Sequence, residues 1–213
     1  RFISEQVSQG VDMVVNLAAG LDARPYRMNL PSDLKWVEVD LPELLAYKED
    51  ILRNEKPVCA LERIAVNLAD VTVRRTVFNK LKQQASRVLI VSEGLLVYLT
   101  EEEVGALAQD LASAESFERW VIDIISPGLL RYMQKKVGKQ LDEAKAPLKF
   151  APQEGPEFFA KYGWPPIHIR SMLKAASKAK RLPFWMRLLA MLPDSNGKAG
   201  NRPWSGVCLL GKA

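Results

Sequence analysis

Short apolar runs alternate with longer amphipathic stretches along most of this chain. Met13-Val14-Val15 opens a run over 13–17, and Trp36-Val37-Glu38-Val39 forms a second that closes at Asp40. Arg63-Ile64-Ala65-Val66 is a third, ending at Asn67-Leu68, and Val88-Leu89-Ile90-Val91-Ser92 a fourth, ending at Glu93-Gly94. A fifth runs from Trp120 to Ile125 and is broken by Pro127-Gly128. Runs of this length predict strands, and the fourth, apolar almost throughout, predicts one buried on both faces of a parallel sheet. Helical periodicity fills the intervals. Residues 1–9 read as the end of a helix capped by Gly10, and Pro25 can open a short helix. Leu41, Leu44, Leu45, Ile51 and Leu52 share one face of a helix starting near Pro42. Val73, Val77 and Leu81 align over 71–84. Thr100 and Glu103 form a capping box before Val104, Leu107, Ala108 and Leu111. This alternation predicts an α/β fold with a doubly wound sheet.

The pattern changes after Gly128. Residues 129–162 are polar, rich in lysine and too long for a simple crossover, which predicts an inserted cap over the strand ends within one domain of residues 1–213. A strand near 167–170, a helix from 171 to about 180 and a final strand from Ser205 to Leu210 follow, with Asp194–Asn201 a surface turn. At 213 residues, 48% hydrophobic and 26% charged, the chain can bury one sizeable core. No apolar run approaches the roughly 18–20 residues that cross a bilayer, and residues 1–9 lack the apolar core of a signal peptide. A first residue of Arg1 predicts that the chain begins inside a longer protein. Cys59 and Cys208, in strand-like surroundings, predict buried free thiols and a reducing cytoplasm. A single histidine, His168, and no paired cysteines argue against a metal site. The alternation Pro166-Ile167-His168-Ile169-Arg170 gives that imidazole a structural or solvent-facing place. The net charge of +5 gathers at Lys135, Lys136 and Lys139, and at Lys174, Lys178, Lys180, Arg181 and Arg187. These are solvated helix faces or a surface for an anionic partner, with nucleic acid the less favoured one.

The candidate chemistry lies at the strand ends. Asn16-Leu17-Ala18-Ala19-Gly20-Leu21-Asp22 leaves the first strand through a small-residue turn, and Asp40 closes the second. Carboxyl ends of parallel strands are where open α/β sheets bind ligands, and a carboxylate at the second strand end can accept both hydroxyl protons of a ribose. Asp40 can also cap the next helix, and Asn67 can be turn punctuation. Glu93, ending a buried strand, needs a partner if ionised. A dinucleotide site wants a third turn glycine where Ala23 stands, and Asp22 would set negative charge beside its pyrophosphate. A phosphate-free cofactor with a sulfonium, an amino group and a carboxylate suits this turn better, which favours S-adenosylmethionine over NAD.

The run Val14-Val15-Asn16-Leu17-Ala18-Ala19-Gly20-Leu21-Asp22-Ala23-Arg24-Pro25-Tyr26-Arg27 resembles the V-V-x-L-G-A-G-L-D-T-R-x-Y-R of the leucine carboxyl methyltransferase family, in its bacterial branch. Glu38-Val39-Asp40-Leu41-Pro42 is similar to the family's E-V-D-L-P, Ser92 to Leu99 to its A-E-G-L-L-x-Y-L, and Phe158-Phe159 with Gly163-Trp164 to its F-G-W element. The resemblance implies a class I methyltransferase, Rossmann-like, with strand order 3-2-1-4-5-7-6 and the last strand antiparallel. It implies that Ala18 and Gly20 line the methionine part of S-adenosylmethionine, Asp40 binds the ribose, Asn67 and Leu68 the adenine, and Glu93 the methionine amino end. Ala18 replaces the family's glycine and Asn67 its aspartate. The family also carries a segment before Arg1 whose arginine and helices help close the site. The activity expected is O-methylation of a carboxylate or hydroxyl on a small molecule. A protein terminus or RNA as acceptor, or a non-catalytic relative, are the alternatives. Methyl transfer to a carboxylate, ionised at pH 7 with a pKa of about 4, needs no general base, so no catalytic acid or base is assigned. Tyr98, Tyr132 and Arg170 can line the acceptor pocket or simply pack the cap.

Overall fold

The computed structural model describes residues 1–181 and 202–213. Its strands are β1 (Met13–Leu17), β2 (Lys35–Asp40), β3 (Ala60–Ala65), β4 (Val88–Ser92), β5 (Phe117–Ile125), β6 (Pro166–Ser171) and β7 (Ser205–Gly211). They form one sheet in the order β3-β2-β1-β4-β5-β7-β6. The helices are α1 (Phe2–Ser8), α2 (Arg24–Arg27), α3 (Pro42–Leu52), α4 (Val71–Leu81), α5 (Glu101–Ala112), α6 (Pro127–Glu143) and α7 (Met172–Lys178). Two compact units divide the chain: Arg1–Glu93 with Asp110–Val121 and Lys212, and Gly94–Gln109 with Ile122–Gly211 and Ala213.

In the first unit, β1 is buried along its whole length. It pairs in parallel with β2 on one side and β4 on the other, setting Leu17 level with both Val39 and Ser92. β2 pairs in parallel with β3, so Asp40 stands beside Ala65. The carboxyl ends of β1, β2 and β4 therefore finish together. Since β1 and β4 are neighbours although not consecutive, this is the switch point where a doubly wound sheet opens a crevice.

Two sequence expectations are corrected here. β3 begins at Ala60 rather than Arg63 and stops at Ala65. As a strand at the sheet edge it has exposed and half-buried positions but no buried one, so its apolar signal is diluted. In α3, Leu45 and Lys48 are buried, whereas Ile51 is 53% exposed, as is Leu41 at the N-cap, at 45%. The cause is Glu38, fully buried in the middle of β2. Lys48 Nζ lies 2.6 Å from Glu38 Oε1, and Arg63 Nε donates to Glu38 Oε2 at 3.0 Å. A buried carboxylate needs a cation, and the helix turns to deliver one at the cost of apolar burial on its flank. α4 is capped by Asp70, which accepts the N–H groups of Thr72 and Val73. It buries Arg74, Val77, Phe78 and Leu81, with Val73 only partly covered. The Arg74 guanidinium pairs with Asp110 and also donates to the Leu68 carbonyl at 3.2 Å.

In the second unit, β6 and β7 are antiparallel, with Ile169 opposite Cys208. The capping box forms as expected: Thr100 N–H donates to Glu103 Oε2 at 2.7 Å, and Glu103 N–H to Thr100 Oγ1 at 3.2 Å. Residues 129–162 are less uniformly polar in space than in sequence. α6 is largely exposed, but Leu148, Phe150, Phe158 and Phe159 are buried, and Phe150 meets Phe158 edge-on at 5.1 Å. A 3₁₀ turn over Gly155–Tyr162 carries the last two. A Cβ at Gly105 in α5 would stand 2.5 Å from the Tyr162 hydroxyl, so any larger residue there has to displace that tyrosine side chain. Both cysteines are free and buried. Burial, with Asp123 nearby, pushes the Cys208 thiol up to about 12. Arg187 and the turn at Asp194–Asn201 lie outside the described residues.

Candidate functional site

A cleft of about 360 Å³ opens where β1 and β4 end, lined by Asn16, Ala18, Ala19, Asp22, Arg24, Arg27 and Glu93. Its volume is at the lower end of the range of small-molecule sites. The turn after β1 is left-handed at two places, Ala18 with φ of 52° and Gly20 with φ of 51°. Glycine takes that conformation freely. A Cβ makes it costly by about 1–2 kcal/mol, so the alanine at this position holds a strained backbone.

The charged groups in the cleft are tied to one another. Asp22 Oδ1 accepts Arg24 N–H at 3.0 Å, while its Oδ2 accepts Asn16 Nδ2 at 2.9 Å and Arg24 Nε at 2.7 Å. The same guanidinium reaches Glu93 Oε2 at 2.6 Å and lies 6.0 Å from the centroid of the buried Trp36 ring. Arg24 thus bridges the β1 turn to the end of β4 and answers the need of Glu93 for a partner. α2, which carries Arg24 and Arg27, is a four-residue turn with Pro25 near its start. It is too short to present an aligned helix dipole to a pyrophosphate.

The structure brings together some of the expected site residues and separates others. Ala18 and Glu93 line the cleft. Asp40 is buried beside it: its Oδ2 accepts Gly20 N–H at 2.7 Å and its Oδ1 accepts Leu41 N–H at 2.8 Å. The spacing between turn and carboxylate is thereby made into a direct bond. Asn67 is exposed and outside the cleft lining, with Oδ1 accepting Ala69 N–H at 2.9 Å. Leu68 is half-buried. Tyr98, Tyr132 and Arg170 belong to the second unit, on the 3₁₀ turn Leu96–Tyr98, on α6 and on β6. Tyr98 and Tyr132 are 36% and 55% exposed. His168 is exposed on β6. From sequence, Asp22 is expected at the crevice with the turn after β1, but Asn16, Arg24 and Arg27 carry no expected binding role. Their signal lies in the L-D-A-R-P-Y-R run itself, where acid and base stand two residues apart. Among the described residues no group of three or more His, Cys, Asp or Glu could hold a metal ion, and no helix is long and apolar enough to cross a membrane.

In Asp123, at the end of β5, the carboxylate accepts Gly94 N–H at 2.8 Å. Burial raises its pKa, and the bond from Gly94 partly offsets this.

This sheet order, with its crevice at the switch point, defines a Rossmann-like fold of the class I methyltransferase type. Solved structures share the fold at very low sequence identity. A DUF574 family protein from Streptomyces avermitilis aligns with a TM-score of 0.66 at 11% identity, over 97% of this chain and 77% of that one. A magnesium protoporphyrin IX methyltransferase from Synechocystis, solved with bound SAH, aligns with a TM-score of 0.53 at 11% identity, over 100% and 80%. The leucine carboxyl methyltransferase family model matches residues 1–112, and the chain belongs to that family. Among curated relatives, a protein of Frankia alni named "Putative S-adenosyl-L-methionine-dependent methyltransferase" is 35% identical over 111 residues, 50% of this chain and 38% of its own length. One of the same name from Mycobacteroides abscessus is 35% identical over 117 residues, 53% and 38%. The chain thus matches well under half the length of these relatives.

Proposed function

We propose that this chain binds S-adenosylmethionine in the cleft at the ends of β1 and β4 and serves an O-methyltransferase whose acceptor is a carboxylate or hydroxyl of a small molecule. The observation that carries the reading is the ion-paired cleft, in which Arg24 joins Asp22 to Glu93. Two carboxylates and two guanidinium groups in one small cleft suit a ligand bearing both signs of charge. They disfavour a pyrophosphate, which would meet both acids and no helix N-terminus of useful length. Family membership supports the same cofactor, as do the names of the relatives.

In this reading Glu93 receives the amino group of the methionine end through Oε1, which has no partner among the described residues. Ala18 and Gly20 lie along the methionine chain. A carboxylate offers about four lone-pair sites, and Asp40 spends two on Gly20 and Leu41, leaving the others for the ribose hydroxyls. Asn67 accepts from Ala69, so its amide N–H groups are left to face the adenine beside Leu68. S-adenosylmethionine, when bound, supplies a methyl group on a sulfonium. The protein contributes placement and exclusion of water, and an ionised acceptor needs no proton removed. A lysine-rich surface over Lys174, Lys178, Lys180 and Arg181 leaves a protein terminus or RNA as acceptors to be screened beside small acids and alcohols. Calorimetric titration with S-adenosylhomocysteine followed by that acceptor screen tests the proposal. Tight binding with methyl transfer to an oxygen supports it. Binding without transfer to any acceptor class marks a non-catalytic relative, and no binding refutes the cofactor assignment.

A further inference from the structure

One wall of the cleft is a helix too short to stand unaided. α2 (Arg24–Arg27) is a single turn, far below the roughly 12–15 residues at which an isolated helix becomes marginally stable. At 3.6 residues per turn, Arg24 and Arg27 fall on one side of it, and Pro25 and Tyr26 on the other. The first side lines the cleft. On the second, Val58 N–H donates to the Pro25 carbonyl at 2.8 Å, and Arg63 Nη2 donates to the Tyr26 hydroxyl at 2.8 Å.

Arg63 is itself tightly seated. Its Nε donates to Glu38 Oε2 at 3.0 Å, and its side chain is 16% exposed. Glu38 is fully buried on β2, with its other oxygen 2.6 Å from Lys48 Nζ. Swinging Arg63 away would leave a buried carboxylate short of a cation, which is costly. Its planar fork therefore presents Nη2 to Tyr26 in a fixed direction. Glu38 orients Arg63, Arg63 orients Tyr26, and Tyr26 sets the turn from which Arg24 spans Asp22 and Glu93. Glu38, Arg63 and Tyr26 all stand outside the cleft lining. We infer that Tyr26 and Arg63 are positioning residues, through which the buried Glu38 fixes the Arg24 bridge and so how tightly the cleft takes its ligand; the identity of that ligand rests on the S-adenosylmethionine reading above.

Tyr26→Phe removes one hydroxyl and keeps the half-buried ring, so the variant should fold, and thermal melts verify it. It is titrated by calorimetry with S-adenosylhomocysteine, alone and in an Arg24→Lys background, which keeps a cation but loses the fork that spans both acids. Tyr26→Phe should weaken binding about three- to tenfold, the loss of one hydrogen bond. In the Arg24→Lys background the same change should cost less than about twofold, because the group it positions is already gone. Arg63→Lys keeps a cation for Glu38 without the fork and should reproduce the loss; full affinity there would overturn the inference. A role confined to the fold would lower the melting temperature and leave affinity unaltered. That result, or the same factor lost with and without Arg24, would also overturn it. The Tyr26 and Arg24 variants and their combination are read by urea unfolding as well, which needs no ligand and decides where a variant binds too weakly to titrate. Losses of stability that fall short of the sum support the relay, and additive losses overturn it. If the wild type does not bind S-adenosylhomocysteine, the cofactor reading fails while the stability cycle still judges the relay.

Discussion

Replacing Asp40 should damage the fold and the cofactor site by separable amounts. Its carboxylate clamps the β1 turn to the end of β2 through Gly20 N–H at 2.7 Å and holds the start of α3 through Leu41 N–H at 2.8 Å. Hydrogen bonds to a charged group contribute about 1.5–3 kcal/mol each. Gly20 is half-buried and Leu41 exposed, so water replaces part of what is lost. Asp40→Ala should therefore cost about 2 kcal/mol of stability, below the sum of two such bonds. Asp40→Asn keeps one acceptor oxygen for one N–H but sets its NH₂ donor against the other, so it should be destabilised as well. Both variants should also lose the ribose interaction, about 1.5–3 kcal/mol or ten- to a hundredfold in affinity for S-adenosylhomocysteine. Urea unfolding gives the first quantity, and calorimetry at a temperature where both variants are folded gives the second. A stability loss with unchanged affinity would mean that Asp40 is a turn clamp and that the ribose assignment is wrong.

Three further outcomes follow from the same geometry. Lys48→Ala leaves Glu38 buried with Arg63 alone and should destabilise by about 3 kcal/mol; in a double-mutant cycle with Glu38→Gln, simple additivity would deny the coupling. Ala18→Gly removes the cost of a Cβ at a φ of 52° but loosens the unfolded chain by about 0.4–1 kcal/mol. Stability should therefore rise by about 0–1.6 kcal/mol while S-adenosylhomocysteine binding tightens, and unchanged binding would show that the methyl clears the ligand. Burial raises the Asp123 pKa, so the folded state holds that proton to higher pH than the unfolded state does. This contribution favours folding at acid pH and is lost as pH rises from the ordinary carboxyl range through the raised folded value. Asp123→Asn should lack it, so the stability of the variant relative to wild type, from urea unfolding at several pH values, should improve as pH rises through that window. A difference independent of pH would refute the shift.

The central strands were legible because their signals are local. β1 and β4 are read from continuous apolar runs, and the α5 capping box from two residues at fixed spacing. What failed was long-range. Nothing near α3 announces that Lys48 must turn inward, since the demand comes from Glu38 on another element. Edge strand β3 showed only its last three residues, and the aromatic cluster of Phe150, Phe158 and Phe159 was hidden among lysines and glutamates. At the site, Asp40 was visible from its spacing to Gly20, although its bond to that glycine was not. The Asp22–Arg24–Glu93 bridge joins the turn after β1 to the end of β4, a contact made by parallel pairing rather than by proximity in sequence.

One titration addresses the central claim. The protein is titrated with S-adenosylhomocysteine and, separately, with NADH, alongside Glu93→Gln, which keeps the shape of the side chain and removes the charge offered to an amino group. S-adenosylhomocysteine should bind one-to-one, more weakly by about tenfold or more, roughly 1.4 kcal/mol, in Glu93→Gln, with no heat from NADH. Binding of NADH, or failure of the wild type to bind S-adenosylhomocysteine, would contradict it.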